Sequence, residues 1–193
     1  MAKGLLALAV AQIAGAPAVG AQAAAAPEPT CQFRGAPDAL AERPSPLDSV
    51  EVRLGDETAK LCYGRPSMRE RTIVGGQDPY GSPWRMGANE PTTLHLPFPA
   101  AIGSVEVGPG SYSLYAIPGN RSWIIVVNGN TNRWGVPINP DVRRADIGSF
   151  TVEATRLDEP VETLTFRFEG AGDTGALVYE WESFTFRIPI SRR

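Results

Sequence analysis

The chain has 193 residues, and Gly (20) and Pro (18) together make about a fifth of it, against a usual share nearer ~12%. Breakers at that density leave few uninterrupted windows of ten or more residues, which excludes a long helical bundle. The formal charge is −3, from 18 basic and 21 acidic side chains without a run of five like charges, so a nucleic-acid partner is disfavoured, while 42% hydrophobic residues suffice for one packed core.

Taken in chain order, the first segment has Lys3, an apolar stretch from Leu5 to Ile13, and small residues ending in Ala21-Gln22-Ala23. That three-part layout predicts a secretory signal peptide over 1–23. The apolar run is too short for a membrane span of roughly 20 residues, and no later stretch approaches that length. The expectation is a soluble exported protein, periplasmic or extracellular, with no transmembrane segment after leader removal. Export makes Cys31 and Cys62 candidates for a disulfide; the alternative is two unrelated small hydrophobes. Residues 24–48 carry Pro27, Pro29, Pro37, Pro44 and Pro46 without a sustained period, and they read as a linker or strap.

From residue 49 the pattern alternates with a period of two. Val50, Val52 and Leu54 lead through Gly55-Asp56 into Ala59, Leu61 and Tyr63, a hairpin signal. Further strands are predicted at Thr92 to Phe98, Val105 to Val107, Tyr112 to Ala116, Phe150 to Ala154 and Leu164 to Phe168. Trp123 to Val127 is apolar on both faces, as in a strand covered on each side. Leu177 to Trp181 and Phe184 to Ile190 read as a last pair, with Tyr179 and Trp181 inward and Glu180 and Glu182 toward solvent. Trp123, Trp134 and Trp181 are assigned to the core. The fold class predicted for 49–191 is a single all-β domain, an antiparallel, jelly-roll-like β-sandwich with one long irregular loop, residues 64–91.

Tyr63-Gly64-Arg65-Pro66-Ser67, Trp84 through Thr93, Gly110 through Pro118, Trp123 through Asn128, Trp134-Gly135 and Trp181-Glu182 occur here in an order that resembles the exported bacterial family catalogued as domain of unknown function 2911. The resemblance runs from about residue 45 to 190. It implies a compact, mostly β domain behind a secretory leader and carries over no reaction, cofactor or catalytic residue. Two segments depart from it: Val136-Pro137-Ile138 lacks a Tyr, and Glu70-Arg71 stands in place of Gly-Arg.

The candidate site residues cluster in the irregular loop. Arg65, Arg71 and Arg85 are placed to converge on a carboxylate, phosphate or sulfate through paired charge-assisted hydrogen bonds. Tyr63 and Trp84 would supply a flat apolar platform, Asn89 an orienting amide, and Glu90 a carboxylate at the edge. The alternative is that these arginines serve the loop's own carbonyls and carboxylates such as Glu90 and Asp78. His95, the sole histidine, falls opposite Leu94 and Leu96 and is read as exposed or hydrogen-bonded.

No metal site is predicted from one His and two separated Cys, and no cofactor or catalytic residue is assigned. The function favoured is a non-catalytic binding module for a small anionic or carbohydrate ligand, or for an envelope protein. Two alternatives stay open: a carboxylate-based hydrolase of envelope glycans using Glu90, Glu180 or Glu182, and a purely structural envelope protein.

Overall fold

The computed structural model describes Met1 and residues 29–193; the predicted signal peptide and the first residues of the predicted linker lie outside the described residues. Ten strands follow one another: β1 (Leu47–Leu54), β2 (Glu57–Gly64), β3 (Ala88–Leu96), β4 (Ala100–Ile102), β5 (Val105–Val107), β6 (Gly110–Ile117), β7 (Ser122–Asn128), β8 (Asp146–Glu153), β9 (Thr155–Ala171) and β10 (Thr174–Arg192). They form a six-stranded sheet, ordered β1-β2-β3-β6-β7-β8, and a four-stranded sheet, ordered β5-β4-β10-β9. All pairings between named strands are antiparallel. The result is a β-sandwich, as the short alternating strands predict.

Alternation places the core. Val52 and Leu54 on β1, Leu61 on β2, Leu94 on β3, Leu114 on β6, and Trp123, Ile125 and Val127 on β7 meet Leu164 and Phe166 on β9 and Tyr179, Phe184, Phe186 and Ile188 on β10. The β1–β2 turn is Gly55-Asp56, with Leu54 paired to Glu57, and Gly55 takes the left-handed conformation that such a turn favours.

Residues 177–190 form one continuous strand instead of the predicted pair. The inward set runs Leu177, Tyr179, Trp181 and then Phe184, Phe186, Ile188, a one-residue phase slip that a turn would also produce. Here a β-bulge absorbs it: Glu182 has φ 53°, and the pairing with β9 shifts register on both sides of Glu182. Glu182 is consequently buried, not solvent-facing. Trp134 is half exposed, and Ile124 on β7 is exposed while its outer-face neighbour Val126 is covered.

The outer face of the large sheet carries a cross-strand row of Cys62, Thr93, Ser113 and Asn128, all buried. Segment 129–145 covers one end: the Asn128 amide donates to Val142 O and Asp146 Oδ1, each at 2.8 Å, and Ser113 Oγ donates to Asn130 O at 3.1 Å. The Pro-rich segment 31–46 covers the other. It is a strap tied at several points: Cys31 is bonded to Cys62, Arg43 pairs with Glu90, the Asn89 amide donates to Ser45 O, and Arg65 N–H donates to Pro46 O. Beneath it lies His95, buried rather than exposed, with Nδ1 at 2.8 Å from Ser111 Oγ. Burial and the Lys60 charge across the register lower its pKa.

Candidate functional site

The irregular loop is shorter than its composition suggests, because β3 begins at Ala88 and takes in Asn89, Glu90 and Pro91. What remains, 65–87, bridges the two sheets. Ser67 pairs with Thr163 of β9 and Trp84 with Ala116 of β6. The Glu182 carboxylate at the β10 bulge accepts the N–H groups of Ile73 and Val74, at 3.3 and 2.9 Å. A loop without a strand partner thus has its backbone donors met by side chains and by the edge of the opposite sheet.

The seven candidate residues do not converge. Trp84 is buried: its indole stacks on Trp181 (5.7 Å, 21°) and meets Trp123 and Tyr179 edge-on at 5.9 Å. It is an inter-sheet wedge and offers no open ring face. Tyr63 is likewise core, its hydroxyl accepting Phe166 N–H and facing Asp48. Arg65 staples the sheets, donating from Nε to Leu164 O and from one terminal nitrogen to Thr165 Oγ1. Arg71 has all three nitrogens engaged, by Met68 O, Gln77 Oε1 and Ser67 O. Asn89, in the left-handed region at φ 62°, spends its amide on the strap.

Glu90 is buried beneath the strap and held from three directions, by both terminal nitrogens of Arg43 at 2.8 and 3.0 Å and by Arg34 N–H at 2.6 Å. Burial pushes its pKa up, but these donors outweigh it and hold the carboxyl below its ordinary value. Glu182 is committed to the loop, and Glu180 pairs with Arg167 at 3.0 Å. Each carboxylate considered for glycoside hydrolysis therefore already has protein partners.

Arg85 differs. Its Nε donates to Gly87 O at 3.0 Å, while its two terminal nitrogens donate to no acceptor among the described residues. Arg85 lines a cavity of about 260 Å³ whose wall also includes Ser45, Arg71, Ile73, Asp78, Val136, Trp84 and Trp181. Gly135 makes the site compact: a Cβ there would lie 2.5 Å from Arg85 Cδ and 2.8 Å from Asn89 O. Burial lowers the Arg85 pKa, and the charges of Asp78 and Glu90 act against that shift. Asp78 is the mirror case. Its carboxylate accepts no hydrogen bond among the described residues, and burial raises its pKa, partly offset by Arg85 and Arg71.

The profile of the family described as "Protein of unknown function (DUF2911)" matches residues 45–190. The chain belongs to that family. No curated protein and no solved structure gives a significant match. In this DUF2911 protein the matched span opens two residues before β1 and closes within β10, so it contains both sheets and the bridging loop.

Sequence reasoning placed Arg71, Trp84 and Arg85 on the loop that lines the cavity. It assigned no ligand role to Asp78, Val136 or Trp181. The signal for Asp78 was available: an acidic residue in the same aperiodic segment as the arginines, read only as their internal partner. Val136 and Trp181 come from distant strands and turns, and nothing local marks them.

Proposed function

We propose that the protein is a non-catalytic binding module that takes a small polar ligand in the cavity under residues 71–87. The observation that supports this is the Arg85 guanidinium, with its terminal nitrogens unspent at a concave site. Charge-assisted hydrogen bonds from a guanidinium to a ligand oxygen are stronger than neutral ones, and a ligand in the cavity takes up these donors in place of solvent. Among the other polar groups of the predicted site, Arg65, Asn89 and Glu90 hold the scaffold on which the cavity is built.

Export belongs to the same proposal. The disulfide between Cys31 and Cys62 suits an oxidising compartment such as the periplasm or the exterior, and among the described residues no helix is long and apolar enough to cross a membrane.

The test is a thermal-shift screen of the purified chain against carboxylates, sugars and amino acids. One class should raise Tm, since a ligand at a hundred times its Kd adds about 2.7 kcal/mol to stability. Arg85→Ala should abolish that shift while moving the ligand-free Tm little. A screen in which no class shifts Tm at tens of millimolar defeats the proposal.

A further inference from the structure

The two ends of the disulfide lie in different surroundings. Cys31 is half-buried at the head of the strap, and no residue of the strap, 31–46, is itself buried. Among the described residues, the strap's hydrogen bonds to the rest of the fold begin only at Arg34, so the covalent bond alone fixes its first three residues. Cys62, by contrast, is buried on the outer face of β2. Lys60 stands two residues before it on the same face, and the register sets Lys60 opposite His95 and Cys62 opposite Thr93. Cys62 and His95 are therefore diagonal neighbours, a spacing that long and aromatic side chains span. Both line a cavity of about 60 Å³ beneath the strap, whose charged wall residues are Arg34, Glu90 and Arg133. Arg43 neutralises Glu90, which leaves the charge around Cys62 positive. His95 is also buried, and its Nε2 has no partner among the described residues. When the Ser111 hydroxyl donates to Nδ1, the ring proton stays on Nε2 as a free donor.

We infer that the Cys31–Cys62 bond is a thiol-exchange site, a latch on the strap, opened by a reactant of the thiol class. A thiolate forms a bond to Sγ of Cys31, the Sγ–Sγ bond breaks, and its electron pair leaves on Cys62, beside the Lys60 ammonium and the His95 Nε2–H. A second thiolate attacks the reactant's own sulfur in this mixed disulfide and releases Cys31. Two thiols are thereby oxidised to one disulfide and the protein disulfide is reduced to two thiols, which take up the two protons the reactants lost. The direction of attack follows from the surroundings. Exchange is faster where the attacked sulfur is accessible and where the leaving thiolate is the more stable, and a neighbouring cation stabilises a thiolate. Opening frees the head of the strap and bares His95 with the cavity around it.

Two measurements on the folded, oxidised chain test this. In the first, reduced glutathione is added, the reaction is quenched with N-ethylmaleimide, and the adducts are located by peptide mass mapping. Glutathione should be found on Cys31 and maleimide on Cys62. In the second, dithiothreitol opens the bond. The rate should change little with urea below the unfolding transition and should fall about threefold in Lys60→Gln and in His95→Phe, where the leaving thiolate loses a stabilising neighbour. Circular dichroism verifies that the variants fold; if they do not, the adduct position and the urea profile of the unsubstituted chain decide. Glutathione on Cys62 or on both sulfurs equally, a rate that climbs with urea from the first addition, unchanged rates in both folded variants, or a bond that dithiothreitol opens only after global unfolding each overturns the inference and leaves the disulfide an inert staple.

Discussion

At Trp84 the side chain and the backbone hold the same junction. The main chain exchanges two hydrogen bonds with Ala116, at 2.7 and 2.8 Å, while the indole fills the space between Trp123, Tyr179 and Trp181. Truncation leaves a void among rings that are themselves fixed, so Trp84→Ala should cost about 3–5 kcal/mol, read as a fall in the urea midpoint. Glu90 is a second residue whose work is cohesion. Its carboxyl is held below the ordinary value, so its contribution is present above the unfolded-state pKa and is lost as pH falls through the folded-state one. A plot of Tm against pH should therefore turn down on the acid side below about 4 in the native chain. In Glu90→Gln that downturn should be shallower, from a lower plateau. Glu90→Ala, which strands the Arg43 guanidinium under the strap, should cost about 3–5 kcal/mol.

Among the elements, β10 carries the most information for the site, because its bulge turns one acidic side chain inward to hold a loop on the opposite side of the sandwich. Glu182→Ala removes the acceptor of two buried N–H groups. It should cost about 2 kcal/mol or more and speed amide hydrogen exchange at Ile73 and Val74 ahead of global unfolding. The bulge was legible as a change from odd to even inward positions between Trp181 and Phe184, but that pattern fits a turn as well as a bulge, and only the long partner β9 decides between them. The β1–β2 hairpin was legible in full, since Gly55-Asp56 and the alternation around it are local. The burial of His95 and Glu90 was not legible for the opposite reason: it comes from the strap, a segment with no period of its own that reaches them across 40 residues or more. The same holds at the cavity, where Arg85 could be placed on the loop, but its freedom depends on which carbonyls its neighbours claim.

On the scale of the whole molecule, the strap converts the outer face of the large sheet from surface to interior. Its covalent tie closes a loop with a sequence separation of 31, for which chain entropy gives about 3–4 kcal/mol. Reduction, or Cys31→Ser, should lower stability by about that amount in a denaturant titration. The loss should leave ligand binding in place, because neither Cys31 nor Cys62 lines the cavity.

That bond also decides how the molecule bears tension. A pull applied ahead of Cys31 passes directly to Cys62 within β2, and the chain between them, β1 included, carries none of the load. The sandwich cannot then be unzipped from its first strand. Roughly 100 Å of contour length stays locked until a thiol opens the bond.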